Sequence, residues 1–194
     1  MVAGHFGLAA AVKAREPQVP LWALMLATQW LDVVFVPLYL AHVERLVPVA
    51  GTAGGYGNAV IHADYTHSLV GALALAALFA LPALWRWGRR TAVILGAVVF
   101  SHWVVDLVVH RHDMPLLPGA PAGFPSVGFG LWRQPAAAAL AELALVLWGA
   151  YSYWRAAIAT TRARAPARLT RAHAAATALV LSGIVTLGLD LLGT

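Results

Sequence analysis

The chain contains no cysteine. That excludes a disulfide framework, an iron–sulfur cluster and any thiolate metal site. A metal, if one is bound, must be held by histidine and carboxylate, which points to zinc, manganese or iron. Charge is also scarce. Asp, Glu, Lys and Arg make up 11% of 194 residues, less than half the roughly 25% of a soluble domain, so a long polar domain has no room. What stands in place of charge is apolar: 61% of residues are hydrophobic and the mean hydropathy is +0.74. These values predict an all-α integral membrane protein, a single domain of about five transmembrane helices.

Five apolar runs of about 20 residues carry that expectation: 20–41, 62–85, 91–110, 136–156 and 173–192. Pro37 is expected to kink the first near its end. Residues 1–19 read as a short interfacial or disordered leader, because Lys13 and Arg15 follow the apolar stretch instead of preceding it. A Gly-rich loop covers 48–58, and a long Pro/Gly loop covers 114–135. The net charge of +5 comes from basic residues packed into short loops. Lys13, Arg15, Arg86, Arg89, Arg90, Arg155, Arg162, Arg164, Arg168 and Arg171 fall on one side of a five-span arrangement, and Arg45, Arg111 and Arg133 on the other. Positive-inside bias explains this pattern better than a nucleic-acid partner does. It sets the N-terminus in the cytoplasm and the 41–60 and 111–135 loops outside.

Against this oily background the ionisable residues inside the runs stand out. In "SHWVVDLVVHRHD", at 101–113, His102, Asp106 and His110 fall at about 0°, 40° and 80° around a helix, so they share a face. Asp113 would join them if the helix continued. Asp32 lies inside the first run, Asp64 and His67 stand three apart at the start of the second, and Glu142 lies inside the fourth. An unpaired charge at mid-membrane costs at least ~2.5–3.5 kcal/mol. No Lys or Arg lies within a run to neutralise these acids, and a divalent cation is the economical counter-charge. Asp32, His67, His102, Asp106 and His110 are the candidate ligands. Asp64, Asp113 and Glu142 are candidate general bases, and Arg111 is a candidate clamp for an anionic oxygen.

Plainer readings exist for each. The His102–Asp106–His110 stripe also suits a hydrogen-bonded polar patch, and Asp64 a first-turn helix acid. Glu142 suits a protonated structural acid, and His112 and Asp113 suit boundary loop residues. His42, Glu44 and Arg45 read as a solvated interfacial cluster, and His5 and His173 as surface residues. Other functional classes share these residue types. Intramembrane Asp and His also mark ion and proton paths, and facing histidines can hold haem.

The segments "QWLD" (29–32), "YTHSL" (65–69), "SHWVVD" (101–106), "HRHDMPLLPG" (110–119) and "VGFGLW" (127–132) together resemble the YdjM-like family of membrane-bound, metal-dependent hydrolases. That family is in turn similar in motif to zinc-dependent phospholipase C and related nucleases. The resemblance covers about residues 29–135. It implies a zinc or other divalent-metal site with Asp32, His67, His102 and Asp106 as ligands, followed by His110 and Asp113. It also implies hydrolysis of a phosphoester, with a membrane lipid as the expected substrate. The expected location is a bacterial inner membrane, with the site facing the extracytoplasmic side.

Overall fold

A computed structural model describes residues 1–49, 57–164, 167 and 169–192. Six helices dominate it: α1 (Val2–Arg15), α2 (Leu21–Thr28), α3 (Trp30–Leu40), α4 (Leu69–Val109), α5 (Pro135–Arg164) and α6 (Leu169–Leu192). Two small antiparallel ladders interrupt the all-helical expectation. β1 (Arg45–Pro48) pairs with β2 (Ala59–His62), and β3 (Met114–Pro115) pairs with β4 (Ser126–Val127). Most of the Gly-rich loop, residues 50–56, and part of the basic turn near 165–168 lie outside the described residues.

Helices α4 and α5 are long and apolar enough to cross a membrane, and the pair α2–α3 forms a third such segment if its 49° bend lies within one span. The bend falls at Gln29 (φ −108°, ψ 4°), not at Pro37, which sits inside α3. Helix α4 has 41 residues with one non-helical residue, Gly88 at φ 83°, ψ 173°. Its two arms fold back on each other there. A Cβ on Gly96 would lie 3.3 Å from the Ala80 methyl, and the Trp103 indole donates to the His67 carbonyl at 2.9 Å. Each arm is close to the ~20 residues a bilayer needs. A β-region ψ at positive φ is open only to glycine, so "RWGRR" turns the chain on that one residue. The first arm begins at Leu69, later than the expected 62, because 59–62 is spent on β2.

The leader expectation for residues 1–19 fails. Residues 2–15 form α1, and its small residues are buried against α5. A side chain at Gly7 would strike the Leu145 carbonyl, and one at Gly149 would strike the Gly7 carbonyl. Gly4 faces Glu142 and Leu145, while Gly7 faces Val146, so the two helices run in the same direction at backbone contact distance. Small residues permit this close approach, as between helices in lipid. The far end of α1 is tied to α4 by a 2.9 Å ion pair from Arg90 to Glu16. His5, His67, His102 and Asp106 gather at the opposite end. Between the two ends lies an apolar layer that includes Val19, Leu24, Leu95, Val98 and Val99.

Candidate metal centre

Asp32, His67 and His110 are each placed by a local break in regular structure, while His102 and Asp106 lie within α4. Asp32 is in the first turn of α3, just past the Gln29 bend. That bend frees the Thr28 carbonyl, which accepts a 2.6 Å bond from His102 Nδ1. In the "YTHS" turn three consecutive residues do separate work. The Thr66 hydroxyl bonds His67 Nδ1 at 2.9 Å, His67 points into the cluster, and Ser68 caps α4 by accepting from the Gly71 amide at 3.0 Å. His110 is the residue that ends α4. Backbone amides from the "VGFGLW" segment close that end: Phe129 donates to the Leu107 carbonyl and Gly130 to the His110 carbonyl, at 2.8 and 2.7 Å. Gly128 is required there, since a Cβ would strike the Arg111 carbonyl.

The donor atoms converge. His67 Nε2 lies 3.4 Å from His102 Nε2, 3.5 Å from Asp32 Oδ1 and 3.6 Å from Asp106 Oδ2. His102 Nε2 lies 3.7 Å from Asp32 Oδ1 and 3.0 Å from Asp106 Oδ2. These are two triangles sharing the His67–His102 edge. Ligands about 2.0–2.1 Å from a tetrahedral zinc are about 3.3–3.4 Å from one another, and the observed edges bracket that value. His110 Nε2 adds a further donor 3.6 Å from Asp106 Oδ2.

Hydrogen-bond direction fixes which ring nitrogen faces the centre. The Thr28 carbonyl can only accept, so His102 carries its proton on Nδ1. A carboxylate can only accept, so His110 Nδ1 donates to Asp113 at 3.1 Å. The Thr66 hydroxyl gives its one proton to Glu44, at 3.0 Å from each carboxylate oxygen, so His67 Nδ1 donates to the hydroxyl. With a proton on Nδ1 of each ring, the three Nε2 atoms are the positions turned towards the two carboxylates. Three imidazole nitrogens and two carboxylates thus meet, a group that could hold a cation. The donor set and its outer partners thus fit a divalent ion held by Asp32, His67, His102 and Asp106, with His110 adjacent.

His5, read from sequence as a surface residue, is 1% exposed and belongs to the site. Its ring stacks on His102, with centroids 3.9 Å apart. Its Nε2 lies 3.1 Å from Asp106 Oδ1, the oxygen facing away from the other histidines. Since the carboxylate has no proton to give, His5 Nε2 donates, and its Nδ1 is a buried lone pair without a partner. His5 thus anchors Asp106. Glu44, expected to be solvated, is also 1% exposed; its Oε1 accepts the Tyr65 and Thr66 amides at 3.0 and 2.8 Å.

The candidate bases fare differently. Asp113 is drawn beneath His110 although α4 has already ended; its second oxygen accepts the Ile61 amide at 3.0 Å, so it backs a ligand candidate instead of facing substrate. Glu142 is fully buried and accepts the Gly4 amide at 2.9 Å, on the α1–α5 seam. The Asp64 carboxylate has no ion pair with the cluster among the described residues. Arg111 donates to the Gly57 carbonyl at 2.8 Å, and its buried Nε has no partner among the described residues.

A cavity of about 220 Å³ reaches the cluster. Asp32, His67, Asp106 and His110 line its floor, and Phe35, Leu46, Ile61 and Trp132 contribute apolar wall. No Lys or Arg is among its described lining residues. The Asp32 side chain, 40% exposed, is the most open acid of the cluster. No family model matches the chain, and no curated protein or solved structure was found to resemble it.

Proposed function

We propose that the protein is an integral membrane, metal-dependent hydrolase acting on a lipid or other phosphoester from the extracytoplasmic side. The observation that carries this reading is the cluster of three Nε2 atoms and two carboxylates, at separations that suit a divalent ion. A divalent cation there supplies Lewis acidity, which polarises an ester oxygen and acidifies water. Zinc suits the nitrogen and oxygen donors, with manganese or iron as alternatives. The residues do the rest. Phe35, Leu46, Ile61 and Trp132 give the cavity apolar wall that a lipid-like substrate would contact. A water entering the cavity meets Asp32 before the more deeply buried Asp106.

Sidedness rests on charge. Arg15, Arg90 and the C-terminal part of α5 lie at the end away from the cluster, and basic residues favour the cytoplasmic face. This supports an outward-facing cluster. It also sets the start of α1 on the cluster's side, opposite to the placement expected from counting loops, because α1 lies within the bundle. A transporter using the same residues would need a polar route through the molecule. The apolar layer of Leu24, Leu95, Val98 and Val99 stands against one. Arg111 donates to the Gly57 carbonyl and is not among the described residues lining the cavity, so a bound cation would have to neutralise substrate charge. Reconstituted protein loaded with zinc should hydrolyse a phosphodiester lipid, and His102→Ala should abolish turnover. Turnover that survives in His102→Ala would remove the site assignment.

A further inference from the structure

We propose that Glu44 is a positioning residue for the metal centre, acting on His67 through the Thr66 hydroxyl. The inference rests on the metal-site reading above but concerns a residue outside the ligand set.

Glu44 follows α3 and directly precedes β1, in a stretch where His42 and Arg45 suggest solvent. It is instead 1% exposed. Taking a carboxylate out of water is costly, and the fold repays it with hydrogen bonds alone. Four converge on it: the Tyr65 amide, the Thr66 amide and the Thr66 hydroxyl on Oε1, and the same hydroxyl on Oε2. All come from the turn immediately before His67. The carboxylate therefore fixes both the backbone of that turn and the orientation of one hydroxyl. With its proton directed to Glu44, the hydroxyl offers only lone pairs to His67 Nδ1, 2.9 Å away. His67 then holds a proton on Nδ1, and the neutral ring leaves Nε2 free, the tautomer a cation needs. Without Glu44, the Thr66 hydroxyl could donate to Nδ1 and push the proton to Nε2, into the cluster.

The arrangement also explains the hairpin. β1 and β2 lie between Glu44 and Thr66, and their pairing, Arg45 with His62 and Leu46 with Ile61, brings the two ends of the segment together. Ile61 at the same time donates its amide to Asp113, which backs His110. One short hairpin thus sets the outer partners of two histidines. A carboxylate that orients a ligating histidine is a recurring outer-shell device, and its removal typically costs about 10–100-fold in metal affinity. Here a threonine hydroxyl is interposed.

Two readouts on the full-length, detergent-purified protein test this. The first is zinc affinity by competition with a chelator. Glu44→Ala and Thr66→Val should each weaken zinc about 10–100-fold. Thr66→Ser, which keeps the hydroxyl, and Glu44→Gln, which keeps an acceptor oxygen, should stay nearer wild type. The double variant Glu44→Ala/Thr66→Val should be little worse than either single change, because both break one chain. Wild-type affinity in Thr66→Val, or additive losses in the double variant, would overturn the relay. The second readout is nitrogen NMR of the metal-free protein labelled at histidine, with His67 assigned by its loss in His67→Asn. Wild type should show the Nδ1–H tautomer, and Thr66→Val should lose that preference. An Nε2–H tautomer in wild type would overturn the proposal. If wild type binds no zinc, the metal reading falls, while the tautomer result still decides the relay.

Discussion

Replacing Asp106 with Asn should stabilise the metal-free protein and destabilise the metal-loaded one. Asp106 is 4% exposed, and its Oδ2 faces His102 Nε2 at 3.0 Å and His67 and His110 Nε2 at 3.6 Å each. Where the three histidines are neutral, this is a buried negative charge against three lone pairs. An Asn of the same shape keeps a carbonyl for His5 and turns an amide N–H₂ towards His102, so one repulsive contact becomes a hydrogen bond. Relieving an uncompensated buried charge is worth about 1–3 kcal/mol, well below the several kcal/mol of its full desolvation. For a chain of this length each kcal/mol shifts Tm by about 2–4 °C. Chelator-treated Asp106→Asn should therefore melt roughly 2–12 °C above chelator-treated wild type. Zinc should reverse the order. At a thousand times Kd it would stabilise wild type by about 4 kcal/mol, or roughly 8–16 °C, and leave the variant nearly unmoved. The assay is thermal unfolding in one detergent, with chelator and then with excess zinc. If the variant melts lower under both conditions, Asp106 is an ion-pair partner of protonated histidines, and the cluster supplies its own counter-charge without a metal.

Further outcomes follow from the same geometry. Gly149→Leu should force α1 off α5, because even a Cβ would strike the Gly7 carbonyl; a loss of about 1–3 kcal/mol, with reduced zinc content as His5 withdraws, would be read by unfolding and metal analysis together. The zinc-induced rise in Tm should shrink as pH falls below about 6, because protons compete with the ion for imidazole nitrogen; a pH-independent rise would place zinc elsewhere. Arg90 holds the Glu16 carboxyl below its usual range through a hydrogen bond. This depressed group contributes its small, solvent-screened stability above the unfolded carboxyl range and loses it as pH falls through the folded value, so Arg90→Ala should flatten the acid limb of the stability profile. Inorganic phosphate should bind the zinc-loaded protein only weakly, since the cavity has no described Lys or Arg in its lining; tight binding would require a cationic group there.

The helices and the ligand candidates are legible in the sequence for separate reasons. Spacing of four residues along an apolar helix is enough to put His102, Asp106 and His110 on one face, and the cost of lone charges in an apolar run singles out Asp32 and His67. The features that the sequence hides carry weak local signals. Helix α1 packs through Ala and Gly, so its burial is a matter of close backbone approach and leaves little trace in hydropathy. Unless α1 lies in the bundle, His5 has no reason to be near Asp106, 101 residues away. Glu44 sits between His42 and Arg45, a pattern that normally marks solvent. Its burial depends on a turn 21 residues later folding onto it. Asp113 reaches the face that helical spacing assigns it by another route: α4 stops at Val109, and a turn brings the carboxylate back under His110. Arg111 shows the converse: adjacency to the stripe in sequence does not carry its guanidinium into the cavity.

Elemental analysis of the detergent-purified protein, with wild type beside His102→Ala and Asp106→Ala, decides whether the cluster holds a divalent cation. Wild type should carry about one equivalent of zinc, manganese or iron, on the order expected for a single four-ligand site, and both variants should lose it. A wild type that stays metal-free after reconstitution with zinc, or variants that keep the full complement, would contradict the metal-site reading.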